Sequence, residues 1–195
     1  MLYMVQKADI EKATKVLADA FQRDPLWNKI CEGESDLDKR FRAIFEVPVR
    51  HCLKYGEVYA TTEKLEGIAA MVPGKHADMT MWSMIRSGAM GAAMRMGSSV
   101  GKKMGPIFKT LTEDRQENMA GDNFLYLLVV GVSSEFQGKG FGGQLIGAAI
   151  EKSEREGLPL YLETETEENV KLYEHFGFTL IKKITLPIVN LPMWE

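Results

Sequence analysis

Between residues 124 and 144 the chain reads FLYLLVVGVSSEFQGKGFGGQ, an aliphatic run, a short polar stretch, then four glycines in six residues. A strand feeding a glycine-rich turn that opens a helix makes a phosphate cradle. The helix start offers unpaired amide hydrogens and the positive end of the helix dipole, and glycines let a polyanion approach the backbone. The residues placed to do this are Gln137, Gly138, Lys139, Gly140, Phe141, Gly142 and Gly143. A second pattern follows. Asn169 and Tyr173 stand one helical turn apart, ahead of Gly177-Phe178. Glu165, Glu167 and Glu168 lie just ahead of Asn169 and read as a solvated acidic face at a helix start.

The kind of phosphate site is an open choice on the glycines alone. Gly138, Gly140 and Gly143 satisfy GxGxxG, and Glu163 lies where a ribose-binding acid would, so a nicotinamide-dinucleotide oxidoreductase is one reading. Against it, Ser133–Gln137 separates the strand from the first glycine, and the motif comes late in the chain. A Walker A sequence, GxxxxGK[ST], is absent.

The segment resembles the GNAT family of N-acetyltransferases, whose signature is Q/R-x-x-G-x-G/A. Gln137, Gly140 and Gly142 occupy its defined positions, the strand ending Val130-Gly131-Val132 precedes it, and Asn169…Tyr173 followed by Gly177-Phe178 lies downstream. The likeness runs over about 124–183, with particular similarity to the puromycin-acetyltransferase-like branch. It implies an α/β fold with a central mixed, mainly antiparallel sheet flanked by helices. It also implies acetyl-CoA as cosubstrate, with the pantetheine arm beside Val130–Val132. Asn169 would hold that arm or the helix start, Tyr173 would be the general acid and Glu163 the candidate base. The reaction implied is direct attack of a primary amine, from a small molecule or a protein, within a ternary complex. A non-catalytic acetyl-CoA-binding module is the other reading, and Tyr173 speaks against it. Gly131 is expected at a bulge that splays the strand from Leu160–Glu163, or at a close packing contact. A homodimer is left open.

The elements that would position these groups read as follows. Residues 2–6 suit a strand, and Asp9 to Arg23 a helix with Ile10, Ala13, Val16, Leu17, Ala20 and Phe21 on one face. A helix over Asp36–Tyr55 is expected to kink or split at Pro48, which has no amide hydrogen. Glu57–Thr61 and Gly67–Val72 suit a hairpin. Residues 75–122 form a methionine-rich zone, read as broken or mobile helices, with Met81, Met84, Ile85, Gly88, Ala89 and Ala92 on one face. This insert is expected to wall or cover the acceptor site, because methionine adapts to varied apolar shapes. Strands are then expected over Asn123–Val132 and Leu160–Glu163, with helices over Gly140–Arg155 and Glu167–Phe176. Two closing strands are expected over Phe178–Lys183 and Pro187–Trp194.

The chain's 195 residues suit one acetyltransferase domain containing that insert. A net charge of −3 gives no footprint for nucleic acid. Cys31 and Cys52 form no CxxC, and His51, His76 and His175 form no HExxH, so no metal is expected. No run reaches the roughly 18 apolar residues of a membrane span, and no leader is legible, so a cytoplasmic location is expected.

Overall fold

The computed structural model describes residues 2–195. Its main sheet has five strands in the order β1 (Tyr3–Met4), β2 (Glu57–Ala60), β3 (Gly67–Pro73), β4 (Leu125–Val132) and β5 (Leu160–Tyr161). The first four pair antiparallel, and β5 runs parallel to β4. The expected mixed, mainly antiparallel sheet is therefore present. A doubly wound parallel sheet, which the dinucleotide reading would need, is not. β6 (Lys183–Thr185) and β7 (Pro192–Trp194) form a separate antiparallel pair.

Side chains alternate across the sheet with the strand period of two. On β3, Ile68, Ala70 and Val72 face one apolar core, and Ala69 and Met71 face another. The first core is covered by α1 (Ile10–Ala20) and α3 (Leu37–Tyr55), the second by α7 (Phe141–Glu156) through Leu145 and Ala149. The short helix α2 (Pro25–Ile30) is capped by Asp24, whose carboxylate accepts from the Trp27 amide at 3.0 Å.

Three features differ from expectation. Helix α3 is unbroken across Pro48. Loss of one amide donor is tolerated there because the middle of the helix, Ile44 to Val49 with Glu46 excepted, is buried in the core. In the insert, α4 (Met81–Ser87) stops at Gly88, so the proposed continuous face through Ala92 does not form. α5 (Met90–Met96) follows, then α6 (Ser98–Asn118), a 21-residue helix that includes Gly101, Gly105 and Pro106. The closing strands are shorter and later than expected. Residues 181 and 182 bond to the Glu195 backbone without forming a named strand, and Pro187 lies in the turn before β7.

Candidate active site

The register of β4 creates the opening around which the site is built. Met71 pairs with Leu127 and Ala70 with Val129, which leaves Leu128 without a partner. Leu128 and Val129 consequently pack toward the same core, while Leu127 and Val130 pack toward the other. This is a β-bulge, with the extra residue unpaired and the strand bent. The bulge expected at Gly131 is thus at Leu128. Gly131 serves close packing instead, since a Cβ there would lie 2.9 Å from Ala20 Cβ and 3.0 Å from Phe21 Cε2 on the α1 side.

Beyond Tyr126 and Tyr161 the two strands part. The chain after β5 turns to β7, where Thr164 and Trp194 exchange backbone hydrogen bonds at 2.9 Å. One edge of β4 from Leu127 to Val132 is therefore left open, and an open edge is a template for an extended chain.

The glycine turn lies at the end of that edge. Gly138 and Gly140 have φ of 75° and 83°, the left-handed region that glycine enters without strain. Around both, a Cβ would meet nothing within 4 Å, so the turn is open. Gln144 is the first amide of α7 to reach a carbonyl one turn back, that of Gly140. The amides of Phe141, Gly142 and Gly143 are thus the free donors of a helix start. Gln137 anchors the turn through Nε2 to the Val132 carbonyl at 3.1 Å. Asp19 of α1 fixes its base, accepting from Ser133 Oγ and the Ser134 amide, both at 2.6 Å. Lys139 lies over the Phe136 ring at 5.0 Å, and Phe136 packs edge-on against Phe141. These residues fit a pyrophosphate: free amides, open space and a positive dipole end, held rigidly.

Beside β4 lies a cavity of about 750 Å³. Its walls come from α3, the insert, β4 and the segment after β5. Tyr173, on α8 (Glu167–His175), lines it with Leu127–Val130, Glu163 and Glu165. The Tyr173 ring packs edge-on against Phe178, and burial followed by the Glu165 charge raises its phenol above the ordinary range. Asn169 does not line the cavity. Its amide donates to Thr164 Oγ1 at 3.0 Å and its backbone to Thr166 Oγ1, tying the α8 start to the end of the β5 segment.

Glu163 reaches the cavity, but both of its oxygens are taken. Arg115 Nη1 donates to Oε1 at 2.7 Å, and the Tyr126 hydroxyl donates to Oε2. Arg115 also donates to Asp78 Oδ1 at 2.7 Å and stacks 4.6 Å from the Tyr126 ring centroid. The side chains of Arg115 and Glu163 are about 6% and 5% exposed. Burial raises the Glu163 carboxyl, and Arg115 opposes that shift. Protonating Glu163 would remove the charge that holds Arg115 and weaken the bond from Tyr126.

Glu165 behaves differently from its acidic neighbours. Glu167 and Glu168 are exposed, as expected. Glu165 lies on the cavity wall, and no side chain among the described residues donates to it. Burial, then the nearby Asp24 charge, pushes its carboxyl up to about 8. The expected solvated role is therefore corrected for Glu165, which is a cavity carboxyl.

Sequence reasoning missed Asp78, Arg115 and Tyr126. For Arg115 a signal existed, because Ile107, Leu111 and Arg115 recur every four residues and are the buried stripe of α6.

Comparison with known proteins fits this geometry. A sequence profile of the acetyltransferase (GNAT) family matches residues 107–178. An uncharacterised N-acetyltransferase of Schizosaccharomyces pombe is 32% identical over 188 residues, covering 93% of this chain and 75% of that protein. The chain belongs to the GNAT acetyltransferase family. Membership makes it an acetyl-CoA-dependent N-acetyltransferase. The acetyltransferase is also similar in fold to a Corynebacterium glutamicum structure described as histone acetyltransferase HPA2 and related acetyltransferase. That likeness has a TM-score of 0.65 and 18% identity, covering 100% of this chain and 94% of the other. A Drosophila melanogaster polyamine N-acetyltransferase structure gives a TM-score of 0.63 at 14% identity, with 100% and 96% covered. Among the described residues of the acetyltransferase, no helix is long and apolar enough to cross a membrane.

Proposed function

We propose that the acetyltransferase moves the acetyl group of acetyl-CoA directly onto a primary amine, with both substrates bound together. The observation that carries this reading is the convergence of Tyr173 and Glu165 on one cavity, where β4 and β5 part. The amides of Phe141–Gly143, with Gln137, Gly138, Lys139 and Gly140 shaping the turn, hold the pyrophosphate. The open β4 edge, through the backbone of Val130, Gly131 and Val132, receives the pantetheine arm as a further strand would. The thioester supplies the activated acyl group. The bend at the Leu128 bulge would turn a backbone amide of that edge toward the thioester carbonyl and polarise it. Asn169 steadies the α8 start and, through it, Tyr173.

An ammonium cannot attack until it loses a proton. Glu165 is the group with a free carboxyl on the wall, and it takes that proton. Glu163, proposed from its strand-end position, is instead a positioning residue that holds Arg115 and Tyr126. The sulfur departs as a thiolate, and the Tyr173 hydroxyl is the acid that protonates it. The insert, residues 75–122, forms the acceptor-side wall.

The test is thiol release from acetyl-CoA in the presence of amines. Tyr173→Phe keeps the ring and its packing on Phe178, so coenzyme affinity should hold while kcat falls about 10²–10⁴-fold. Full turnover by Tyr173→Phe, with chemistry rate-limiting, removes the phenol from catalysis. Acetyl-CoA binding with no thiol release for any amine would favour a non-catalytic module.

A further inference from the structure

We infer that the acceptor carries a single ammonium on a bulky apolar body, and that the body lies against the aromatic and methionine wall of the cavity. The inference rests on the acetyl-transfer reading above and narrows it to a substrate class.

The wall's charges are concentrated and almost all paired. Its acids are Asp78, Glu163 and Glu165, and its bases are Lys109 and Arg115. Arg115 bridges Asp78 and Glu163, so both carboxylates are already engaged by one cation. Lys109 is well exposed and leans toward Glu113, at 3.7 Å. One carboxyl, Glu165, is left to meet a cation, and it is close enough to Tyr173 to raise its phenol. The ammonium is therefore held at the end of the cavity where Tyr173 stands.

The apolar part of the lining offers little to a second charge. Trp27, Phe108, Met79, Met84 and Met104 face the space. Trp27 and Phe108 pack at 6.4 Å between ring centroids. A second ammonium placed against these five side chains would lose water and gain no carboxylate from them, a cost of several kcal/mol for an unpaired buried charge. An apolar body gains free energy from the same surface, at roughly 25 cal/mol per Å² removed from water. Unbranched thioethers mould to the body's shape, so the wall selects for apolar bulk over one fixed outline. A volume of about 750 Å³ leaves room for such a body beside the acyl-bearing arm. The wall thus discriminates against polyamines by leaving their distal charges unpaired.

The experiment measures thiol release from acetyl-CoA with the full chain and three acceptor types. They are apolar monoamines (2-phenylethylamine, tryptamine, octylamine), spermidine, and a lysine-containing peptide. The expected result is a kcat/KM at least about 100-fold higher for an apolar monoamine than for spermidine or the peptide, the order set by leaving one charge unpaired. Met104→Glu places a second carboxylate on the apolar wall and should narrow that ratio at least about tenfold, with coenzyme A affinity retained. Met84→Glu makes the same test at another point of the wall if Met104→Glu does not fold.

Preferred turnover of spermidine or of the peptide overturns the inference and leaves the acetyl-transfer reading standing. If acetyl-CoA binds but no acceptor turns over, calorimetry of 2-phenylethylamine and spermidine against the coenzyme A complex decides. Selective binding of the apolar amine supports the inference, and its absence overturns it. Failure to bind acetyl-CoA at all removes the acetyl-transfer reading and this inference with it.

Discussion

Glu165→Gln is the substitution from which most follows. It keeps the side chain's shape and removes its ability to take a proton. The carboxyl is pushed up to about 8 before the amine arrives, so ionisation at that site sets the pH dependence of kcat/KM for the amine, which reports groups of the enzyme free of that substrate. With one titration at that value, the ionised fraction rises roughly ninefold from pH 6 to 7, about fivefold from 7 to 8, and less than twofold beyond. Burial sets this value first, then the Asp24 charge, with Glu163 adding to it; Tyr173 faces the same carboxyl, and Arg115 lies beyond Glu163. Single-turnover thiol release, with coenzyme saturating and the amine well below its KM, reads that parameter. Wild type should show the rising limb. Glu165→Gln should lose it and be slower by about 10²–10⁴ at pH 8, the usual contribution of a general base. Repeating the series with amines of different basicity separates the limbs, because only a limb belonging to the amine moves with it. A wild-type limb preserved in Glu165→Gln would refute the argument and place the titrating group elsewhere. The same carboxyl affects stability. Its folded value lies above the ordinary 4.5, so the folded state binds the proton more tightly. Its contribution to stability is therefore greatest below the ordinary range and falls as pH rises toward about 8. The difference in Tm between wild type and Glu165→Gln should follow that trend.

Other perturbations follow from the same geometry. Arg115→Met strands two carboxylates that share one buried partner and should cost about 3–5 kcal/mol, read by urea unfolding; a loss below ~1 kcal/mol would mean the network is not coupled. Gly131→Ala pushes a methyl toward Ala20 and Phe21, and should cost about 1–3 kcal/mol by the same assay, with a wild-type midpoint refuting close packing. Gly140→Asp puts a negative charge and a left-handed non-glycine residue at the head of α7 and should abolish coenzyme A binding by calorimetry; wild-type affinity in the folded variant would remove the turn from the site. Hydrogen exchange over residues 79–119 should slow when coenzyme and amine bind, and uniform strong protection in the free protein would mark the insert as a rigid wall.

What could be read from the sequence was local. Gln137–Gly143 and Asn169…Tyr173 carry their geometry in spacings of a few residues, and the turn, its helix and the phenol's helix formed where those spacings placed them. The misreadings concern partners distant along the chain. The bulge lies at Leu128 because the β3 register decides which residue is left over, and nothing in residues 125–132 encodes that register. Glu163 looked like a free strand-end carboxylate until Arg115 and Tyr126 were found on it, 48 and 37 residues away. Glu165 looked solvated beside Glu167 and Glu168, but its environment is set by the start of α2 and the cavity. The split that Pro48 allowed does not occur, because the buried faces of α3 hold the helix together across it.

The Arg115 junction constrains redesign. One guanidinium on α6 clasps Asp78, just before α4, and Glu163, beyond β5. A grafted loop carrying a different amine preference would have to bring its own cation to that spot. Otherwise Glu163 would need to become glutamine or leucine in the recipient. Chimeras that exchange 79–119 alone keep Asp78 and Glu163 but lose their shared counterion. Specificity and foldability are therefore linked through a single residue, and libraries that hold Arg115 fixed while varying Met79, Met84, Met104 and Phe108 should yield more soluble members than those that randomise it.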